Sequence, residues 1–166
     1  MTRLTPASRA ARSTLRVAVA PVRWASAGSF TERATQIYWL KAIDVRPSTP
    51  ATAIIAFGDS ITDGTCTTLD AHDRWEDGVA QRLALRNPIP RAIVNEGIGG
   101  NTVTNAGNYD PVVNSAPGLD RLERDVLSHP GVSHVVLFMG TNDIRRGAPA
   151  SLVIGGMKEM IAKVKA

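Results

Sequence analysis

The chain contains three short, continuously apolar runs, each of which ends at a cluster of Gly, Asp and Asn. The runs are residues 53–57 (AIIAF), residues 93–94 within RAIVN, and residues 135–138 (VVLF). A continuous apolar run of this length is typical of a strand that is buried on both faces of a sheet. A segment with helical spacing of apolar residues follows each run, so the order β-α-β-α-β-α is predicted. That order favours an α/β fold with a parallel sheet.

The three predicted helices cover residues 75–85, residues 119–127 and residues 152–164, with Ser151 as the cap of the last one. Only three strands are predicted, and the third is followed by a helix alone. A doubly wound sheet normally has further strands that cover such an edge. We therefore expect the third strand to be uncovered and to allow self-association.

The charge distribution separates an amino-terminal segment from the rest of the chain. Residues 1–50 hold eight Lys or Arg against two acidic residues, whereas residues 51–166 hold eleven against thirteen. The basic excess lies outside the predicted α/β domain, which argues against a nucleic-acid-binding surface on that domain. Residues 1–50 are predicted to begin with an Arg-rich leader, which is either similar to a transit peptide or disordered. The remnant of a β segment follows the leader, and residues 47–50 (PSTP) form a linker. The β remnant is predicted from a period-2 pattern formed by Ile37, Trp39, Ile43 and Val45.

Composition excludes several other classes of protein. No apolar run approaches the roughly 20 residues that a membrane-spanning helix needs. Because Cys66 is the only cysteine, an internal disulfide framework and a cysteine-rich zinc site are excluded. No secretory signal is visible.

Three polar clusters follow the three predicted strands directly: residues 58–64 (GDSITDG), 95–103 (NEGIGGNTV) and 140–143 (GTND). Because the carboxyl ends of parallel strands share one edge of a sheet, we expect the clusters to lie together there. A serine held directly after a buried strand has an oriented, exposed hydroxyl, as a nucleophile requires. Ser60 is therefore the candidate nucleophile. The candidate oxyanion donors are the N–H of Ser60, the N–H of Gly100 and the side-chain amide of Asn142.

Each cluster taken alone has an ordinary structural explanation, since Gly, Asp and Asn are the usual residues of turns. Asp59 is predicted to be a turn or cap residue beside the candidate nucleophile. Asp143 is predicted to cap or anchor the segment that holds Asn142. The coincidence of all three clusters at one edge, rather than any one of them, points to a functional site.

The clusters resemble the first three sequence blocks of the SGNH (GDSL-type) hydrolases. The resemblance rests on residues 58–60 (GDS), on residues 100–102 (GNT) and on residues 140–143 (GTND), and it covers residues 51–166. It implies a three-layer α/β/α sandwich with a flavodoxin-like parallel sheet, of which the chain holds three of about five strands. It also implies a carboxylic ester as substrate, either a small molecule or an acylated carbohydrate, and no metal or organic cofactor.

The same resemblance implies roles for individual residues. Ser60 is then the nucleophile, and Gly100 and Asn142 supply oxyanion donors. The residues expected in support are Asp59, Asn101 and Asp143.

One element of the family pattern has no counterpart here, namely a histidine three residues after an aspartate. None of His72, His129 and His134 has Asp three positions before it. In serine proteases the loss of the base costs about 10⁶ in turnover, so we expect this chain to be weakly active or inactive. We interpret it as the amino-terminal part of an ester hydrolase that ends before the Asp-x-x-His block. His129 is expected to cap a helix and His134 to be structural.

Two other functions stay open. A non-catalytic binding protein that keeps the SGNH fold without the catalytic Asp-His pair would show the same three clusters. A dinucleotide-binding module is suggested by Gly97, Gly99 and Gly100 after a strand, but the fingerprint G-x-G-x-x-G needs glycine at position 102, where this chain has Thr102.

Overall fold

The computed structural model describes residues 43–68, 71–86 and 89–166. The predicted leader lies outside the described residues, as do Ile37 and Trp39 of the predicted strand. Ile43 and Val45 are 74% and 80% exposed and belong to no strand, so the prediction of a strand is wrong for this end of the period-2 pattern. Residues 46–50 are also exposed and have neither helix nor strand.

Three parallel strands form the sheet in the order β2-β1-β3. The central strand is apolar on both faces, and its residues Ile55, Ala56 and Phe57 are fully buried, as expected for a strand with neighbours on both sides. The bounds are β1 Thr52–Gly58, β2 Arg91–Gly97 and β3 Val132–Phe138.

Helical segments connect the strands. They are α1 (Ser60–Asp63), α2 (Trp75–Arg86), α3 (Pro111–Asn114), α4 (Gly118–Leu122), a π-helical turn (Glu123–Leu127), α5 (Thr141–Arg145) and α6 (Ala150–Lys165). The predicted helix over residues 119–127 is thus divided into α4 and the π-helical turn. The division is marked by an i→i+5 bond from the Ser128 N–H to the Glu123 carbonyl. Among the described residues, no helix is both long and apolar enough to cross a membrane.

Helices lie on both faces of the sheet. Successive residues of a strand face opposite sides, and the register places Ala56 beside Asn95 and Phe57 beside Glu96. On the Asn95 face, that side chain donates to the carbonyl of Thr62 in α1 and, at 3.3 Å, to the Glu76 carboxylate in α2. On the Phe57 face, α4, the π-helical turn and α6 supply the buried apolar residues Leu122, Val126 and Met160. The predicted α/β class with a parallel sheet is confirmed.

Two predictions about these elements are wrong. β3 is not buried on both faces, because Val136 is 39% and Phe138 48% exposed, while their neighbours Val135 and Leu137 pack against the core. Ser151 does not cap α6, which begins one residue earlier at Ala150. Pro149 holds the cap position, and its carbonyl accepts the first N–H groups of the helix, from Leu152 and Val153.

Candidate active site

The three polar clusters lie at the carboxyl ends of the three parallel strands, and hydrogen bonds join them. The Ile98 N–H donates to the Gly58 carbonyl at 3.2 Å, which links the ends of β2 and β1. The Asn142 Nδ2 donates to the Asn101 carbonyl at 2.9 Å, which links α5 to the loop after β2. The structure therefore brings the clusters that contain Ser60, Gly100 and Asn142 to one edge of the sheet.

Ser60 is the first residue of α1, a single helical turn that begins directly behind β1. Asp59 is its N-cap, with an extended backbone and a side chain that accepts from the Ile61 N–H at 3.0 Å. Asp59 is 1% exposed, whereas Ser60 is half-buried. As the first residue of the turn, Ser60 has an N–H that finds no acceptor within the described part of the chain. The cap thus fixes the backbone of Ser60 and leaves its N–H available.

Two glycines let α1 pack directly on the strand ends. A Cβ on Gly58 would lie 2.2 Å from Thr62 Oγ1 and 2.6 Å from the Phe138 carbonyl oxygen. A Cβ on Gly97 would lie 2.2 Å from the Asp63 backbone nitrogen. These distances are far below van der Waals contact, so only glycine allows this close packing. The position of α1 against both neighbouring strands is thereby set.

Gly100 presents its backbone in the loop after β2. Its φ of +76° lies in the left-handed region, and a Cβ there would approach the Val113 carbonyl to 3.1 Å. Its carbonyl accepts from Asn114 Nδ2 at 2.6 Å, which fixes the peptide. In the residues that the structure covers, the Gly100 N–H has no acceptor. It is therefore a second available donor at this edge.

Asn142 is 7% exposed and lies in the first turn of α5. A side-chain amide has two N–H donors, and the bond to the Asn101 carbonyl uses one of them. The second N–H is available to another acceptor. Asn101 is itself fully buried, and its own amide donates to the carbonyls of Asn114 and Ala116 at 2.9 and 2.8 Å.

Asp143 anchors α5 to the loop after Gly100. Its carboxylate is fully buried and accepts from the N–H of Val103 at 2.8 Å and the N–H of Thr104 at 3.0 Å. The Thr104 hydroxyl adds a longer contact of 3.3 Å. Two short bonds from backbone donors to a carboxylate are strong, charge-assisted interactions. They hold the neighbouring Asn142 in place relative to Gly100.

None of the three histidines, all of which lie within the described residues, is paired with Ser60. His129 does not cap the helix as predicted; Ser128 does, and the imidazole Nε2 of His129 lies 2.7 Å from Glu96 Oε1. His134 is exposed on β3 with its Nδ1 2.9 Å from Ser133 Oγ, and His72 is exposed with a φ of +52°. Across residues 43–68, 71–86 and 89–166, no histidine forms a hydrogen bond with Ser60.

Glu76 and Arg121 are among the buried charged residues that the sequence did not predict. Glu76, in the first turn of α2, is only 4% exposed, and burial raises its pKa. Arg121 is 1% exposed; burial lowers its pKa, an effect that the ion pair with Asp125 opposes. Burial alone would raise the pKa of Asp125, but its bonds to Arg124 and Arg121 outweigh burial and lower the pKa below its ordinary value. No apolar pattern marks either residue, although Arg121 and Asp125 are spaced i,i+4 as an ion pair requires.

Other candidate sites are weaker. Within the described segments, no group of three His, Cys, Asp or Glu side chains is arranged to hold a metal ion, and Cys66 is an exposed free thiol. A cavity of about 350 Å³ lies beside α6, but none of Ser60, Gly100 and Asn142 lines it. We place the candidate active site at the strand ends because the available donors and the serine lie there.

Comparison with known proteins agrees with the fold. Residues 56–166 match the family model of the GDSL-like lipase/acylhydrolase family, whereas no curated protein sequence matches the chain. The structure is similar to AlinE4, an SGNH-hydrolase family esterase, with a TM-score of 0.56 and 22% identity over 72% of this chain and 56% of that one. It is similar to a lipase/acylhydrolase from Enterococcus faecalis, with a TM-score of 0.51 and 28% identity over 68% and 52% of the two chains. For an aryl esterase from M. smegmatis the values are 0.54 and 27%, over 69% and 54%.

This chain spans a little over half the length of each of these three structures. The likeness to AlinE4, at 22% identity, shows a shared fold. The family match covers well over half of the present sequence and includes all three polar clusters. The chain belongs to the GDSL-like lipase/acylhydrolase family, that is, to the SGNH hydrolases.

Proposed function

We propose that this protein hydrolyses carboxylic esters of small molecules or carbohydrates, with Ser60 as the nucleophile. One observation carries the proposal. One edge of the sheet carries a serine on a capped helical turn and three N–H donors without an acceptor. The donors are one N–H each from Ser60, Gly100 and Asn142. N–H donors without an acceptor, at the sheet edge that carries the serine, are what the oxyanion of the tetrahedral intermediate in acyl transfer requires.

In the proposed reaction, Ser60 Oγ forms a bond to the carbonyl carbon of the ester. The carbonyl oxygen becomes an oxyanion and accepts from the three donors. The bond to the alcohol oxygen then breaks, and the alcohol leaves with the proton that Ser60 has lost. Water attacks the acyl-serine in the second half, releases the carboxylic acid and returns a proton to Ser60.

We expect the hydrolysis to be slow in this chain, because Ser60 has no adjacent base within the described residues. Asp59 accepts from Ile61 rather than from the serine hydroxyl, and the three histidines bond elsewhere or lie exposed. A serine hydroxyl without an adjacent base is a weak nucleophile. Removing one oxyanion donor costs about 10²–10³ in rate, so three donors can still support measurable acylation.

Acetylation by p-nitrophenyl acetate, followed by mass spectrometry of the intact chain, tests the proposal. We expect a single acetyl group on Ser60, none at that position in Ser60→Ala, and a rate about 10²–10³ lower in Asn142→Ala. Ser151→Ala is the matched control, because Ser151 is an exposed serine that also lies in the first turn of a helix. If Ser60→Ala releases p-nitrophenol and acquires acetyl as fast as the unmodified chain, the proposal is wrong.

The position of the histidines favours one alternative, a non-catalytic protein that binds esters on the same edge of the sheet. Such a protein would bind an ester without acylation. Titration with p-nitrophenyl acetate would then shift the amide resonances of Gly100 and Asn142 in an NMR spectrum, while the mass of the chain would stay unchanged.

We also propose that the protein associates with itself through β3. Among the described strands, β2 and β3 are both edge strands, and β3 carries the half-exposed apolar residues Val136 and Phe138. An apolar edge strand of this kind pairs readily with another chain. We expect a dimer or larger species in size-exclusion chromatography that Val136→Lys converts to monomer, whereas Val112→Lys, at a residue 91% exposed on α3, leaves it unchanged. A monomer for the unmodified chain would contradict this.

A further inference from the structure

One buried cation, Arg121 on α4, contacts the loops of the proposed site. It is the largest fully buried side chain in the part of the chain that the structure describes, with 1% of its surface exposed. Burial of a guanidinium is costly and needs hydrogen-bond partners to offset it. The identity of those partners indicates what the residue does.

The guanidinium bonds to the ends of β1 and β2 and to the loop that follows β2. Its Nη2 donates to the Gly58 carbonyl at 2.9 Å, two residues before Ser60. Its Nη1 donates to the Glu96 carbonyl at 3.0 Å, at the end of β2. Its Nε donates to Asn101 Oδ1 at 3.0 Å, and Asn101 directly follows Gly100. One rigid, planar group therefore fixes the backbone before the nucleophile and the side chain next to the second oxyanion donor.

The same network continues to the third donor. The Asn101 carbonyl accepts from Asn142 Nδ2, so the residue that Arg121 holds by its side chain holds Asn142 by its backbone. Arg121 is thus linked directly to two of the clusters, and through Asn101 to the third.

Two further groups contact the guanidinium. Its carbon lies 4.0 Å from the centre of the Phe57 ring, a favourable cation–π distance. Asp125, one helical turn away, pairs with Nη1 at 3.2 Å and compensates the charge. Lysine has a single ammonium group and cannot reproduce a fork of donors in one plane.

We propose that Arg121 is a positioning residue for the hydrolysis, because it holds Ser60, Gly100 and Asn142 in mutual register without touching the substrate. This inference rests on the proposed function. A positioning residue differs from a partner in a purely structural ion pair. In the second case only the contact with Asp125 would contribute to the function of Arg121. A buried pair of that kind is often replaceable by apolar residues of similar volume at little cost.

The variants Arg121→Lys and Arg121→Met, each as the full chain, separate the two roles. We expect Ser60 acetylation to slow by about 10²-fold in Arg121→Met, the loss typical of one oxyanion donor, with partial recovery in Arg121→Lys. Arg124→Met is the matched control, since Arg124 binds the same Asp125 but its side chain is 63% exposed. It should acetylate within about twofold of the unmodified chain, as expected for an exposed pair.

If the Arg121 variants do not fold, Asp125→Asn provides a second test of the proposal. It removes the carboxylate and leaves the three bonds to Gly58, Glu96 and Asn101. We expect a lower melting temperature with an unchanged acetylation rate. A rate that falls together with the melting temperature in this variant, or a folded Arg121→Lys that reacts as fast as the unmodified chain, would overturn the proposal.

A readout that needs no reaction distinguishes this inference from the proposed function itself. In Arg121→Lys, the side-chain amide resonances of Asn101 and Asn142 should shift, and their hydrogens should exchange faster with solvent. Unchanged amides overturn the positioning role whether or not Ser60 reacts. Equal acetylation of Ser60→Ala and the unmodified chain instead overturns the proposed function.

Discussion

Replacement of Asp143 by asparagine tests whether the anchor of α5 holds the site together. The carboxylate accepts two backbone N–H bonds, from Val103 at 2.8 Å and from Thr104 at 3.0 Å, and it is fully buried. Asparagine keeps one acceptor oxygen but turns an NH₂ group toward the second N–H. A hydrogen bond to a charged group contributes about 1.5–3 kcal/mol, and an unsatisfied buried donor costs about 1–3 kcal/mol. We therefore expect Asp143→Asn to lower the free energy of unfolding by about 3–5 kcal/mol.

Urea unfolding followed by circular dichroism measures this loss. Asp120→Asn is the matched control, because Asp120 is an exposed aspartate in the first turn of α4. It should change the free energy of unfolding by no more than about 0.5 kcal/mol. A loss below about 1 kcal/mol in Asp143→Asn would contradict this prediction, since it would mean that neither backbone bond contributes appreciably.

Two further predictions concern packing and pH. Gly155→Ala should stabilise the chain by about 0.5–1 kcal/mol, since the added Cβ meets open space, whereas Gly156→Ala should destabilise it by about 1–3 kcal/mol because its Cβ would lie 2.7 Å from Val103 Cγ1. Thermal unfolding checks the pair, and equal shifts would contradict the packing of α6 on the loop after β2. Burial raises the pKa of Glu76, so the folded state holds that proton more tightly and stability is lost as pH rises above the ordinary glutamate pKa. Glu76→Gln should therefore be more stable than the unmodified chain at pH 7 and equally stable below that pKa. A difference in the free energy of unfolding that stays constant across pH would show that folding does not change the pKa of Glu76.

The sequence predicted the sheet and the shared edge because both follow from local patterns. A continuous apolar run indicates a buried strand, and parallel strands place their carboxyl ends together. The same reasoning was wrong for Val136 and Phe138, which are apolar yet half-exposed. An apolar run indicates that a strand can be buried on both faces, but it does not show which neighbouring elements cover them.

The positions of Arg121 and His129 could not be predicted, because their partners are distant in the chain. Arg121 bonds to carbonyls 25 and 63 residues away, and a charged residue within an amphipathic helix normally faces solvent. The position of His129 at a helix stop is typical of a cap, whereas its contact with Glu96 joins residues 33 apart. The turns α1, α3 and α5 were also missed, since helices of four or five residues are too short to show a period.

Reaction with a fluorophosphonate followed by peptide mapping tests the central claim most directly. We expect a bond between phosphorus and Ser60 Oγ with loss of fluoride, formed slowly by the folded chain. The same chain unfolded in urea should remain unlabelled, because unfolding would separate the proposed oxyanion donors from the serine. A label found on another serine, or one that forms as fast in urea as in the folded chain, would contradict the account.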